Sequence, residues 1–288
     1  MTVRTAGQSP RIAAVVPIYN RRVITCEFLR SFSSVRYDSY EIVIVNDGST
    51  DGSADIIARD FPAVRLLHTP GDYWWSKSMN RGVRDALERG AEYILSINDD
   101  VSFEPDFLSC LVEHALAHPR TLVGSMVYRR DDRRKLWYAG GKMSLVLGEL
   151  FHRSSVEDGE LQWLTGMGTL IPAEVFREIG LYDDVRFPQY FGDADLSMRA
   201  RYAGFALAVE PRSVLYNPVE ESTEDILRRH VSPGNFLSPL FTLRSVGHWR
   251  SRRSLYARHW PVVLRPVAPV VYYIRFFAKR TLRLLKLR

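Results

Sequence analysis

Glu41-Ile42-Val43-Ile44-Val45-Asn46-Asp47-Gly48-Ser49-Thr50-Asp51-Gly52-Ser53 begins as an unbroken apolar run and ends as a cluster of small polar residues around two glycines. A strand without polar alternation is buried on both faces, which is the habit of a parallel sheet covered by helices. The glycines and their polar neighbours make a tight turn into a helix reaching about Asp60, with Asp51 or Ser53 as its cap. Capping accounts for Asp51 and Ser53. It does not account for Asp47, which stands at the end of the strand.

The same alternation extends in both directions. Before this stretch, Ile12–Val16 reads as a strand and Val23–Ser34 as a helix. After it come a strand at Val64–Leu67 and a helix capped by Ser76, with Met79, Val83, Ala86 and Leu87 on one face and Gly90 at its end. A strand at Tyr93–Ile97 follows, then a helix at Pro105–His118 with proline in its first turn. This is an α/β chain with a mostly parallel central sheet. Ligands of such sheets bind beyond the carboxyl ends of the strands. From 131 to 225 the pattern is less regular, with strands near Leu136–Tyr138 and Leu164–Ile171. Helices follow at Pro172–Ile179, ending at Gly180, and at Ala194–Ala203, ending at Gly204. A composition shift near Glu224–Pro233 places a boundary between a domain of residues 1–230 and an extension of residues 231–288.

Four polar segments stand where ligands of such a sheet bind. Pro17-Ile18-Tyr19-Asn20 follows the first strand and offers backbone groups and an aromatic ring, although an ordinary turn reads the same way. Asp47 could accept from the N3–H of uracil or thymine. Asn98-Asp99-Asp100-Val101 places two carboxylates side by side, which repel unless a cation or proton joins them. Oxygen ligands suit Mg2+ or Mn2+ bridging the phosphates of a nucleotide; a plain turn is the other reading. Gly192-Asp193-Ala194-Asp195-Leu196 opens a helix that Asp193 could cap, and a carboxylate beside a metal site could equally serve as a general base.

In this order the four segments resemble family 2 glycosyltransferases of the GT-A fold, a Rossmann-like nucleotide-diphospho-sugar transferase architecture. The resemblance covers roughly residues 11–225. Gly71-Asp72-Tyr73-Trp74-Trp75, leading to Asn80 and Gly82, is similar to the family's segment before the helix that closes over the nucleotide. Trp163 to Leu170, with Gly166-Met167-Gly168, is similar to its strand on the acceptor side. The Asn-Asp-Asp-Val form is similar to members that build bacterial surface polysaccharides, rhamnosyltransferases among them. The resemblance implies that Pro17, Tyr19, Asn20, Asp47, Asn80 and Asp99 meet the donor, with Asp100 as the principal metal carboxylate and Asp193 as the catalytic base. It puts Trp163, Gly166, Met167 and Asp195 on the acceptor side. Two positions depart from the family pattern. Gly192 replaces a glutamate, and Asn217 stands where a histidine often completes the metal site.

The implied activity is an inverting, metal-dependent transfer from a UDP- or dTDP-sugar to a hydroxyl of a saccharide or lipid-linked saccharide, with Mn2+ or Mg2+ as cofactor. A sugar nucleotidyltransferase would need a glycine-rich basic first loop, and Pro17–Arg22 has no glycine. A nucleotide-sugar or glycan-binding protein without activity would have no use for Asp193. Trp74 and Trp75 suit either the site or the core. Cys26 and Cys110 fall in apolar helical patterns as reduced thiols, with no metal-ligand spacing. The N-terminus shows no apolar signal segment, which points to the cytoplasm.

Charge divides the chain unevenly. Arg228 to Arg288 holds fourteen Lys/Arg and no Asp or Glu, leaving 25 basic and 33 acidic residues before it. At helical spacing Arg275, Lys279, Arg283 and Lys286 share one face, with Tyr273, Ile274, Phe277, Leu284 and Leu285 opposite. An anionic membrane on the inner face of the cell is the expected partner of this tail. Packing on the body or on a second subunit is the alternative. No nucleic-acid motif accompanies the arginines, so no nucleic acid is expected.

Overall fold

The computed structural model describes residues 9–218 and 231–285. Lys286, residues 1–8 of the N-terminal reading, and the expected boundary at residue 230 lie outside them. The first half alternates as expected: β1 (Ile12–Ile18), α1 (Arg22–Phe32), β2 (Tyr40–Asp47), α2 (Ser53–Asp60), β3 (Arg65–Thr69), α3 (Trp74–Glu88) and β4 (Tyr93–Ser96). A short β5 (Ser102–Phe103), α4 (Phe107–Ala117), β6 (Thr121–Arg129), β7 (Leu136–Tyr138) and the hairpin β8 (Gly141–Ser144) and β9 (Glu149–His152) come next. Then follow β10 (Thr169–Pro172), α5 (Ala173–Ile179), α6 (Gly192–Tyr202) and β11 (Ala206–Asn217).

The nine-stranded sheet runs β3-β2-β1-β4-β10-β6-β11-β5, with β7 paired to β6. β3, β2, β1 and β4 are mutually parallel, as are β6 and β11; β10 enters antiparallel between β4 and β6. The architecture is therefore mixed α/β. The unbroken apolar strands feed two cores. Ile12, Ala14, Val16 and Ile18 pack with Phe28, Phe32, Leu108 and Leu111 on one face. Ala13, Val15, Val43 and Val45 pack with Met79, Val83 and Ala86 on the other. Each fully buried Val or Ile contributes about 1.5–3 kcal/mol, so the two-sided burial fixes the register of the sheet. Gly82 lets α3 lie directly on the strands: a Cβ there would sit 2.4 Å from Val15 Cγ1 and 3.0 Å from Val45 Cγ2.

Several elements differ from the sequence reading. The helix expected to be capped by Ser76 starts at Trp74, and Ser76 is buried in its first turn with Oγ donating to the Phe187 carbonyl. The expected strand at Leu164–Ile171 shrinks to β10. Its first half is a loop, broken by Gly166 and by Gly168 at φ +68°, whose amides turn toward α6. β6, the β8–β9 hairpin and β11 were not foreseen. In β11, Pro211 and Arg212 sit at a bulge between Glu210 and Val214, which interrupts the apolar pattern.

The C-terminal residues form α7 (Trp249–His259) and α8 (Val267–Leu284), joined by a 3-10 turn at Val262–Leu264. They pack on the body. Leu255, Tyr256, Trp260 and Ala268 form a third apolar cluster with Phe187 and Phe191. Tyr256 Oη donates to Gly148 O at 2.8 Å and Trp260 Nε1 to Leu145 O at 3.0 Å. Among the described residues no helix is long and apolar enough to cross a membrane.

Candidate active site

The parallel strands bring the turns after β1, β2 and β4 to one edge of the sheet. The first two are laced together. Asn20, at φ +52°, accepts from Thr50 N–H at 2.7 Å and donates its own N–H to Ser49 Oγ at 2.9 Å. Asp51 accepts from Arg22 N–H at 2.9 Å and from Ser53 N–H at 3.0 Å, tying the starts of α1 and α2. Tyr19 is 47% exposed above this platform, and Pro17 is half-buried beside it.

Asp47 is buried and fully engaged. Its carboxylate accepts from Thr69 Oγ1 (2.6 Å), Gly71 N–H (3.0 Å), Tyr73 N–H (3.0 Å) and Trp74 N–H (3.0 Å). Four donors use the lone-pair sites of a carboxylate. These donors make Asp47, expected to accept from a base, the residue that folds the segment 69–74 leading into α3. Asn80, also expected at the nucleotide, is buried under the site. It donates to Tyr182 O at 2.9 Å and Asp184 Oδ2 at 3.0 Å, bracing α3 against the 182–184 loop.

The turn after β4 holds the paired carboxylates. Arg21, just before α1, bridges them: Nε lies 3.0 Å from Asp99 Oδ1 and Nη2 lies 2.9 Å from Asp100 Oδ2. Asp99 is buried and also accepts from Thr25 Oγ1 at 2.7 Å. Burial pushes its carboxyl up to about 6 against the pull of Arg21 and Thr25. Asp100 is different. Its Oδ1 is buried and, among the described residues, accepts no hydrogen bond. An orphaned carboxylate oxygen beside an occupied one suits a divalent cation that takes one or two carboxylates and completes its shell with phosphates and water. Asn217 ends β11 close by, since Arg130 donates its N–H to Asn217 O at 3.0 Å and its guanidinium to Asp100 O. No cluster of three His, Cys, Asp or Glu gathers anywhere among the described residues.

Asp193 lies in the first turn of α6 but does not cap it in the expected way. Phe191, at φ +72°, is the residue before the helix, and Asp193 reaches out of the turn. Oδ2 accepts from Gly166 N–H at 2.7 Å and Oδ1 from Ala194 N–H at 2.9 Å. Burial pushes its carboxyl above the ordinary value despite these two donors. A chain of contacts joins it to the carboxylate turn. Gly166 O accepts from Ser96 Oγ at 3.0 Å, Trp75 packs on Gly166, and Trp75 Nε1 donates to Asn98 Oδ1 at 3.3 Å. Trp75 is thus part of the wall of the site, and Met167, the residue after Gly166, is half-buried. Trp163 is buried, with its indole donating to Lys142 O at 3.2 Å.

Asp195, expected on the acceptor side, is fully buried in an ion network. It is 2.8 Å from Arg199 Nε, 2.7 Å from Arg258 Nη1 and 2.9 Å from His259 Nε2, the latter two on α7. Burial would raise its carboxyl, but the bond from His259 and the charges of Arg199 and Arg258 outweigh it and hold it below the ordinary range. Removing one partner of a buried ion network costs about 3–5 kcal/mol, so Asp195→Asn should lose that much stability in urea unfolding. A depressed carboxylate stabilises above its unfolded pKa and loses that contribution as pH falls through the folded one. Wild type and Asp195→Asn should therefore converge as pH drops below about 4. A parallel pH dependence of the two would remove Asp195 from this role.

Backbone conformation gives an independent marker. Four non-glycine residues among those described have positive φ: Asn20, Trp74, Phe191 and Arg120. The first three border the site, and such strain is held at functional positions by surrounding structure. Phe191 is held by α7, with the Arg252 guanidinium 5.0 Å from its ring centroid. Arg21 and α7 were missed as contributors. Arg21 had a signal, because β1 and β4 are neighbours in a parallel sheet and the residues after them must meet.

The glycosyl transferase family 2 model matches residues 13–180. An N-acetylglucosaminyl-diphospho-decaprenol L-rhamnosyltransferase of Mycobacterium tuberculosis is 25% identical over 255 residues, covering 78% of this chain and 81% of that one. A poly-beta-1,6-N-acetyl-D-glucosamine synthase of Staphylococcus epidermidis is 23% identical over 228 residues, and the match spans 76% of this chain and about half, 53%, of the synthase. Among solved structures, a mannosyltransferase from Pyrobaculum calidifontis in complex with GDP-Man and Mn2+ has a TM-score of 0.58. It is 17% identical and the match covers 96% of this chain and 84% of that one, a likeness of fold.

Proposed function

Because the chain belongs to glycosyl transferase family 2, with more than half its length matched, we propose that this glycosyltransferase carries out a single displacement with inversion. It moves a sugar from a UDP- or dTDP-sugar to a hydroxyl of a saccharide or lipid-linked saccharide, in bacterial cell-surface glycan synthesis on the cytoplasmic side. The observation that carries this reading is the pairing of Asp193 with Asp100. One carboxylate is oriented by two backbone N–H groups, and the other has a buried oxygen without a partner.

In this reading the nucleoside lies over Pro17, Tyr19 and Asn20. Asp47 shapes the floor through the 69–74 segment. Asp193 takes the proton of the acceptor hydroxyl as that oxygen bonds to the anomeric carbon. The bond to the diphosphate breaks with its electron pair leaving on the phosphate oxygen. Gly166 and Ala194 keep the carboxylate aimed while leaving it lone pairs for the incoming proton. Mn2+ or Mg2+ on Asp100, with Asn217 as a neutral neighbour, would neutralise charge on the departing diphosphate. Arg21 holds Asp99 and one oxygen of Asp100, so that the other oxygen alone is presented.

A panel of nucleotide-sugars tests the reading. With Mn2+ present, a cognate donor at a hundred times its Kd should stabilise the protein by about 2.7 kcal/mol in thermal melts, and slow donor hydrolysis should accompany it. If no UDP- or dTDP-sugar shifts the melt, the proposed donor class is wrong. Stabilisation without turnover on any acceptor would mark a binding protein.

A further inference from the structure

From the outward face of α8, we infer that the protein docks on an anionic membrane surface. An amphipathic helix on a globular protein turns its apolar stripe inward. α8 turns one apolar face inward and leaves a second one outside. The residues it buries are Ala268, Tyr272 and Arg280, and Arg280 donates to Phe236 O at 3.0 Å and Asn235 O at 2.9 Å. Arg275 is anchored on Glu149 at 2.8 Å. Away from the body, Val267, Val270 and Ile274 are each at least half exposed and recur at helical spacing along one side of α8, with Val263 in the preceding turn and Leu285 just past the helix also exposed. Pro269, Val270, Tyr273, Ile274 and Phe277 line an open apolar groove of about 490 Å³ on the same helix.

Charge decides between occupants. From Val231 to Arg288 the chain has twelve Lys/Arg and no Asp or Glu. Arg265, Lys279 and Arg283 are exposed, with Lys279 and Arg283 on the polar side of α8 opposite Val270 and Ile274. Arg252 and Arg280 are buried, and Arg258 and Arg275 are paired with carboxylates. A second copy offering the same face would still bring the remaining basic residues together without acidic partners from this segment. Anionic headgroups complement the basic residues while acyl chains accept the stripe, which is how an interfacial helix binds. The helix is too short and too polar to cross a bilayer, so it lies in the interface plane. Its position adds direction. α8 packs on α7, and α7 holds Phe191 and Asp195 beneath Asp193. The membrane face is thereby tied to the base side of the site. The inference deepens the proposed reaction by naming an acceptor carried on lipid.

The experiment is sedimentation of the full-length protein with phosphatidylcholine vesicles, with and without phosphatidylglycerol, in low and high salt. Wild type should pellet with the anionic vesicles and be released by salt. The variant Val270→Asp/Ile274→Asp changes two exposed side chains, so its melt and its stabilisation by donor should be unchanged while partitioning falls about tenfold or more. Donor stabilisation reads the transferase proposal separately from the docking one. Wild type remaining in the supernatant, or equal pelleting of wild type and variant, would overturn the inference. So would a stable dimer that ignores lipid and is lost in the variant, which would assign the stripe to a second copy.

Discussion

Asp193→Asn should lower turnover by roughly 10²–10⁴-fold, the usual worth of a positioned general base, with donor affinity nearly unchanged. The carboxylate accepts one N–H on each oxygen, from Gly166 and Ala194. Asparagine can satisfy one of these and must set its NH2 against the other, so a stability loss of about 1–3 kcal/mol accompanies the change. Melts and donor titrations therefore belong beside the kinetics. A base lost without harm to the donor site lowers kcat and kcat/KM alike. Wild-type activity should also rise with pH through the Asp193 carboxyl. Since burial holds that carboxyl above the ordinary carboxylate value, the acidic limb should lie above the usual carboxylate range. Activity within a few fold of wild type in Asp193→Asn would dismiss this residue as the base. Asp195, buried on Arg258 and His259, is then a poor substitute, because its carboxylate is fully buried and already paired with three side chains.

The parallel half of the fold was legible because its strands are apolar throughout. Alternate residues of β1 enter different cores, and only a sheet covered on both faces demands that pattern. The edge where ligands bind followed from the same argument. Side-chain roles were less legible where the partner is distant in sequence. Asp47 stands where a ligand carboxylate could stand, but its donors come from Thr69 to Trp74. Asn80 is occupied by Tyr182, a hundred residues away. Asp195 needed His259 and Arg258 to show its purpose. For α8 the periodicity separated an apolar from a basic face, yet it could not say which faces the protein. That depended on Glu149 and on the carbonyls of Asn235 and Phe236.

Asp100→Ala should reduce transfer by at least about 10²–10³-fold, the scale of losing one preorganised electrostatic contact to a developing charge. EDTA should reproduce the loss, and Mn2+ or Mg2+ should reverse it in wild type but not in the variant. The fold should survive, because Asp100 is partly exposed and its Oδ1 supports no other group. Asp99→Ala makes the contrast. Asp99 is buried between Thr25 and Arg21, and its removal leaves the guanidinium with Asp100 alone. That variant should lose stability as well as activity, whereas Asp100→Ala should lose activity at near wild-type stability. Mn2+ titration followed by its electron paramagnetic resonance signal, with a nucleoside diphosphate present, gives a readout independent of turnover. Binding should vanish in Asp100→Ala. Full activity in EDTA, or equal Mn2+ binding by variant and wild type, would show that the orphaned oxygen serves something other than a cation. Arg21, with Arg130 beside Asp100, would then be the charge in place to meet the diphosphate, and Arg21→Ala would become the more damaging change.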